Sequence, residues 1–321
     1  MERGEENAYI RYLKAKKAVD DRALDPEVWK AMRRALPVGP VRVLEVGGGI
    51  GTMVERAFDW ELAPSMDYTL TDVNPHFVET FKCRIGPWCR QRGLFVEEAP
   101  EGAIRLRGPS GESSLHTSLV DLTAPRSWSD VNPGWDLIIA HGVMDLVNID
   151  GALEAFPGWL TSGGLVYLSL NYDGETVFLP PWDVHMDMRI LERYHASMDA
   201  RRVHGRATGG SRTGDRLKEA LTARRFELLA SGRSDWAVQP GRDGYPAGEK
   251  IFLDCIVETV YRTLVKDPEI PRNVLEKWLQ NRRQRIRSGE LSFHARNLDF
   301  LASRPSPPDI GGCLNAAGPR R

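Results

Sequence analysis

Apolar and polar positions along this chain follow two rhythms. Short β-branched runs at Val41–Val46, Tyr68–Asp72, Trp135–Ala140 and Leu165–Leu170 read as strands buried on both faces. Between them lie helical stripes. Val28, Trp29, Met32 and Leu36 recur at helical spacing behind Asp25-Pro26-Glu27, which supplies an N-cap, a proline at the first helical position and an acid facing the dipole. Asn74-Pro75 opens another helix carrying Phe77, Val78 and Phe81, and 149–160 reads as a third. Ile104 and Leu106, then Leu115 and Leu119, flank Gly108-Pro109-Ser110-Gly111, the pattern of a β-hairpin whose second arm continues as a sheet strand to Val120-Asp121.

Strand and helix in alternation predict a doubly wound α/β fold: a mostly parallel, seven-stranded sheet with helices on both faces. Residues 1–40 form an N-terminal helical cap and 41–303 the main domain. Within it, 173–212 is rich in proline, aromatics and glycine (FLPPWD, then Gly205–Gly214) and is expected to cover a substrate. Helices are expected over 187–202 and 212–225, strands over 226–230, 235–238 and 291–301, and a helical insertion over about 245–288. The tail 304–321 is proline and glycine punctuation without a core pattern, expected to be disordered.

Composition narrows the class. With 41% hydrophobic and 27% charged residues the chain is of ordinary globular type, and a net charge of −1 gives no field toward nucleic acid or anionic membrane. No apolar run approaches the roughly 20 residues that span a bilayer, and the N-terminus has no signal-peptide stretch. Cys83, Cys89, Cys255 and Cys313 show no metal-ligand spacing, so a cytoplasmic protein with reduced thiols and no metal is expected.

The chemistry gathers at VRVLEVGGGIGT, residues 41–52. A buried strand ends in Glu45, and the glycines that follow allow positive φ and let a ligand touch the backbone where the next helix presents its free amides. Asp72 and Asp121 end two later strands, and in an open parallel sheet those ends converge on one crevice. Asp72 lies roughly 20 residues past the glycines, where an acid reaches ribose hydroxyls. A dinucleotide fingerprint would need a further glycine where Thr52 stands; the pattern present is E-x-G-x-G-x-G, from Glu45, Gly47, Gly49 and Gly51.

In that motif, over about 41–175, the chain resembles the class I S-adenosylmethionine-dependent methyltransferases. The resemblance implies that S-adenosyl-L-methionine is the cofactor. Gly47, Gly49 and Gly51 would pass under its methionine part with Glu45 near the ammonium group. Asp72 would hold the ribose, Asp121 and Leu122 the adenine, and His141-Gly142 the methionyl end. HGVMD stands where an enzyme methylating amino groups of DNA bases would carry [DNS]-P-P-[YFW], and no acid set marks a metal-assisted type.

Methyl transfer from a sulfonium is an in-line displacement that asks the protein mainly for alignment and exclusion of water. If a general base is used, position ranks His141 and Tyr172 first, ahead of Asp145, His185 and His195. Tyr9 and Tyr12, on the first helix, are candidates to line a substrate pocket. Arg206 and Arg212 precede a helix and are candidates for an anion site or for plain solvated positions. The expected activity is methylation of a small molecule. Alternatives are an RNA- or protein-directed methyltransferase docking through the basic run 281–287, and a non-catalytic regulatory protein that binds the cofactor.

Overall fold

The computed structural model of the chain describes residues 3–109, 111–124, 128, 131–246 and 248–304. Beyond Arg304, the tail expected to be disordered lies outside the described residues. Two N-terminal helices form where the pattern placed them, α1 (Arg3–Ala23) and α2 (Pro26–Ala35). Asp25 accepts from the Glu27 and Val28 amides, satisfying two of the four free donors at the start of α2.

The centre of the sheet is parallel. β1 (Val41–Val46) lies between β2 (Met66–Asp72) and β6 (Trp135–His141), and their ends are flush: Val46 pairs with Thr71 on one side and Ala140 on the other. Outside them β5 (Gly111–Leu119) runs parallel to β2 and β7 (Leu160–Leu179) parallel to β6. The crossovers are α3 (Thr52–Asp59), α4 (Pro75–Gln91) and α5 (Ile149–Trp159). β12 (Ser292–Ser303) then enters antiparallel between β7 and β10 (Glu227–Arg233). The core order is therefore β5-β2-β1-β6-β7-β12-β10.

Three further strands bring the sheet to ten rather than the seven expected. β3 (Phe95–Glu98) and β4 (Ile104–Gly108) extend the β5 edge as antiparallel ribbons, and β11 (Trp236–Val238) pairs with β12. β3 is mostly exposed and lacks an alternating apolar face, so it left no periodic signal.

β7 departs more instructively. It spans 20 residues, running through 171–179 and so into the stretch 173–212 expected to cover a substrate. At Leu170 φ turns positive, and the freed N–H donates to Asp299 Oδ1 at 2.8 Å. The strand bends there, and its far half pairs with the start of β12. Asn171, Asp173 and Gly174 carry turn chemistry locally, but cross-strand pairing overrides it.

Alternate residues of the strands face opposite layers. Val43, Tyr68 and Leu137 pack with α2, α3 and α4 side chains such as Met32, Met53 and Phe81. Leu44, Ile138 and Leu168 pack with Leu153 and Phe156 of α5 and with Leu217 of α7 (Thr213–Ala223). A third core forms on the protruding β7–β12 arm: Phe178 and Phe293 meet Ile190 of α6 (Val184–Ala200), Phe252 of α8 (Glu249–Leu264) and Trp278 of α9 (Arg272–Ser288). The helical insertion thus has a physical role, burying the arm. Between α6 and α7 a two-residue-per-strand hairpin, β8 (Arg202–Val203) with β9 (Arg206–Ala207), turns the chain back.

Candidate active site

The glycine loop is held from the β2 side. Gly48 N–H donates to the Thr71 carbonyl and Gly49 N–H to Asp72 Oδ2, both at 2.9 Å. Gly47, Gly49 and Gly51 sit at φ +66°, +54° and +80°, which disfavour a side chain. A Cβ at Gly51 would also overlap the Phe81 ring. α3 then starts at Gly51 without a side-chain cap, leaving its first amides facing the strand ends.

The three acids behave differently from one another. Glu45 lies beneath the loop, not in the gap above it. Its carboxyl is 2% exposed, accepts from the Tyr68 hydroxyl at 2.8 Å and touches the underside of Gly48. Burial pushes its pKa up to about 8, the Tyr68 hydrogen bond working the other way. Buried below the glycines, it supports the loop. Asp72 stands at the crevice and spends one lone pair of each oxygen on Gly49 and Asn74 amides. A carboxylate has about four acceptor sites, so capacity remains on both oxygens. Burial raises its pKa. Asp121, just past β5, accepts from Thr123 N and Oγ1 through Oδ1, and its Oδ2 is 3.9 Å from His204 Nε2 in the β8–β9 turn. Leu122 packs into the core beside it. The register Asp72↔Leu119 brings the two acids to neighbouring strand ends.

His141 and Tyr172 do not present free groups. His141 Nδ1 is 2.8 Å from Ser169 Oγ, and its Nε2 is 3.2 Å from both Asp20 Oδ2 and Arg56 Nη1. Burial, helped by Lys16, lowers its pKa to about 4. It belongs to a buried polar cluster beneath α1, and a base enclosed in this way has no face for a substrate. The Tyr172 hydroxyl is 2.6 Å from His195 Nε2 and 2.7 Å from Thr176 Oγ1, with its ring in the third core. Its pKa is raised by burial, which suits a neutral donor fixing the arm. His195, in turn, is taken up by this pair. His185 lies at the outer surface of α6 beside a cavity of about 370 Å³ lined by charged side chains, away from the glycine loop.

α1 lies across the strand ends. Ile10 and Leu13 pack on Ile50 and Phe77, Leu13 reaching Gly49, while Lys16 approaches Gly142. Alongside this contact lie partly exposed groups from three separate elements: Tyr9 and Tyr12 of α1, Asp145 after β6, and Tyr194 with Arg201 at the end of α6. Their electrostatics are coupled. Burial, then the nearby Asp145 and Asp72 charges, push the Tyr9 pKa up to about 12; burial raises Tyr194 against the pull of Arg201. Asp145 is pushed up to about 6 by burial, opposed by Arg201. The segment after Arg201 is fastened over this region by Gly209 N to the Val147 carbonyl and Gly210 N to the Asp145 carbonyl. Tyr9, Tyr12 and Asp145 were legible as candidates; Tyr194 and Arg201 carried no sequence signal.

Arg206 lies in β9 and Arg212 is the N-cap residue of α7. The start of α7 is already served by Asp173, which accepts from the Asp215 amide, and Arg212 sits 3.6 Å from Asp215. Basic residues of α9 are likewise occupied: Arg282 is fully buried on Asp187 and the Pro180 carbonyl, and Arg283 pairs with Asp254 and Glu258.

The seven-strand order with a penultimate antiparallel strand makes this the Rossmann-like methyltransferase fold. No family model matches the sequence, and no curated protein does. Among solved structures it is similar to a Bacillus halodurans C-125 protein described as a candidate methyltransferase, at 11% identity and TM-score 0.49, over 88% of this chain and 100% of the other. It is also similar to the Mycobacterium tuberculosis cyclopropane synthase MmaA2, at 12% and 0.42, over 87% and 83%. A third is Haemonchus contortus phosphoethanolamine N-methyltransferase 2 bound to S-adenosyl-L-methionine, at 12% and 0.40, over 87% of this chain and 52% of the other. The chain thus spans about half the length of the Haemonchus protein. Among the described residues no helix is long and apolar enough to cross a membrane.

Proposed function

We propose that the protein is an S-adenosylmethionine-dependent methyltransferase acting on a small molecule. The observation that carries this reading is the glycine loop: three left-handed glycines, with Gly49 N–H donating to Asp72, opening onto an uncapped helix at the flush ends of β1, β2 and β6. A cradle with no room for Cβ atoms, beside a carboxylate that keeps acceptor capacity, fits a nucleoside bearing a methionyl group. Asp72 would hold the ribose hydroxyls, Asp121 and Leu122 the adenine, and the backbone of Gly47–Gly51 and Gly142 the methionyl end.

When bound, the cofactor supplies a methyl group already activated on a sulfonium. The chain's own residues then align and enclose. Leu13 and Ile10 of α1 exclude water from the loop, and the 173–212 segment, with His204 near Asp121, covers the other end. If the acceptor must lose a proton, Asp145 Oδ atoms receive it, because this carboxyl lies past the β6 end and has no hydrogen-bonding side chain among the described residues. The occupied arginines of α9 favour a small molecule over RNA, and the unpaired Cys83, Cys89 and Cys255 agree with a cytoplasmic location.

Calorimetry with S-adenosylhomocysteine, followed by transfer of labelled methyl into a small-molecule extract, tests the reading. Micromolar binding with label appearing in small molecules supports it; absence of binding rejects it. Binding without transfer would favour the regulatory alternative. A steep salt dependence with added RNA would favour the RNA-directed one.

A further inference from the structure

The cluster of Tyr9, Tyr12, Asp145, Tyr194 and Arg201 contains charged and polar groups that the fold itself does not use. Arg201 Nη1 is buried without a hydrogen-bond partner. Among the described residues no carboxylate lies within ion-pair distance, 4.0 Å, of its guanidinium. Arg201 as a residue is half-buried, but a guanidinium nitrogen withdrawn from water without a partner is costly, and a folded protein ordinarily pairs it. Arg282 shows how this chain does so when the role is structural, with Asp187 at 2.6 Å and the Pro180 carbonyl at 2.8 Å.

The neighbours of Arg201, half-buried or exposed, also lack side-chain partners. The carboxylate of Asp145 and the hydroxyls of Tyr9, Tyr12 and Tyr194 make no side-chain hydrogen bond among the described residues, although all lie close enough for their charges to be felt within the group. Tyr9 and Tyr12 rings are 5.6 Å apart, and each is backed by a phenylalanine, Phe77 and Phe252 respectively, so the walls are fixed. Aromatic walls, hydroxyl donors and one unpaired cation, next to the strand end where methyl transfer would occur, describe a binding site for a compact anion.

We propose that Arg201 selects the methyl acceptor, which carries a carboxylate or phosphate group that the guanidinium binds. Resting on the methyltransferase reading above, it adds the substrate class: an organic anion small enough to lie between α1 and α6. The guanidinium forms the ion pair, and Tyr9 and Tyr194 hydroxyls supply further donors. Asp145, of like charge to that group, directs it away from the strand end, so that the nucleophilic part of the acceptor faces the methyl. Arg201 is thereby a specificity determinant, and Asp145 orients by repulsion as well as accepting a proton.

Arg201→Met and Arg201→Lys variants test this in three measurements on the full chain. The first is thermal unfolding without ligand. A structural arginine loses stability on replacement, whereas an unpaired one does not, so the Met variant should unfold at the same or a higher temperature. The second is calorimetric affinity for S-adenosylhomocysteine, which should stay within about twofold. The third is labelled methyl transfer from S-adenosylmethionine into a small-molecule extract fractionated by ion exchange. Wild-type label should elute with the anions, fall by roughly ten- to a hundredfold in the Met variant, and return in part with Lys.

Label in the neutral or cationic fractions of the wild type would overturn the proposal. So would a tenfold loss of homocysteine-product affinity in the Met variant, since the guanidinium would then serve the cofactor, or a fall of several degrees in unfolding temperature. If the wild type binds no S-adenosylhomocysteine, the methyltransferase reading fails instead. Thermal unfolding with added inorganic phosphate then still decides the anion site: stabilisation of the wild type but not of the Met variant supports it, and no difference between them rejects it.

Discussion

Asp20 Oδ2, on the N-terminal helix, lies 3.2 Å from His141 Nε2 at the end of β6, and this buried contact fastens α1 over the strand ends. The same oxygen takes the Lys16 ammonium at 2.6 Å and lies 3.4 Å from Arg56 Nη2, while Oδ1 accepts from Trp236 Nε1 at 2.9 Å. Burial alone would raise the Asp20 pKa, but Lys16, His141 and Arg56 together hold it well below the usual carboxylate range. One carboxylate thus ties the cap to the glycine-loop helix, to the central sheet and to β11.

Asp20→Ala should cost about 3–5 kcal/mol, because it strands Lys16 and part of Arg56 without their counter-charge. With a depressed folded pKa, the stabilisation is present above the unfolded carboxylate range and lost as pH falls through the folded value. Urea unfolding of wild type and variant should therefore differ most at neutral pH and converge in acid. A neutral-pH difference below about 1 kcal/mol would show that the cluster acts as a surface pair.

Glu45 has the opposite sign. Its pKa is raised to about 8 by burial, so the folded state retains a proton that the unfolded chain releases near 4.5. This contribution is fully present below the unfolded pKa and is lost as pH rises through the folded one. Glu45→Gln keeps the shape and an acceptor for Tyr68 but cannot ionise. Its unfolding free energy should fall less steeply than that of the wild type between about pH 4.5 and 8. Parallel profiles would mean that Glu45 is charged in the folded protein.

How much of this was legible depended on whether a signal was local. The loop of Gly47, Gly49 and Gly51 could be read from spacing, because positive φ and close packing impose glycine wherever such a turn is made. Caps at Asp25 and Asn74 were equally local. The far half of β7 was not, since Asn171, Asp173 and Gly174 are turn residues locally, and the strand is made by β12, more than a hundred residues later, pairing with Asn171 and Tyr172 and with Thr176–Leu179 on either side of the irregularity. For Glu45, position was legible but its Tyr68 partner was not, since that contact depends on the neighbouring strand. The cluster was half visible. Tyr9 and Tyr12 stand out on α1, but Arg201 becomes informative only when its Nη1 is found buried and unpaired, a property that no sequence pattern encodes.

Gly51→Ala tests the loop directly. Left-handed φ costs a non-glycine residue roughly 1–2 kcal/mol, and overlap with the Phe81 ring adds roughly 1–3. Chemical denaturation should show about 2–5 kcal/mol of destabilisation. Gly51→Ala combined with Phe81→Leu should recover the steric part and leave the φ penalty. No recovery would place the strain elsewhere in the loop.

For Tyr172 the geometry argues fixation of the arm over catalysis. Its hydroxyl already serves His195 and Thr176. Tyr172→Phe should lower unfolding free energy by about 1 kcal/mol and leave methyl transfer within severalfold of wild type, measured as label incorporated at saturating cofactor. A hundredfold or greater loss of turnover with unchanged affinity for S-adenosylhomocysteine would restore Tyr172 as a catalytic residue.

Asp72 is asked to do two things, and they separate experimentally. It organises the loop through Gly49 N–H, and on the proposed function it also holds the ribose. Asp72→Ala should weaken S-adenosylhomocysteine binding by about 1.5–3 kcal/mol, the worth of hydrogen bonds to a charged acceptor. Loop disorder alone would produce such a loss, so the informative comparison uses the 2′-deoxy analogue. If Asp72 contacts the ribose, wild type should bind the analogue more weakly than the parent ligand, and Asp72→Ala should bind the two alike. The difference between those differences is the coupling between carboxylate and hydroxyl. A coupling near zero, with affinity lost equally for both ligands, would confine Asp72 to holding Gly49 and remove the ribose contact from the proposed site.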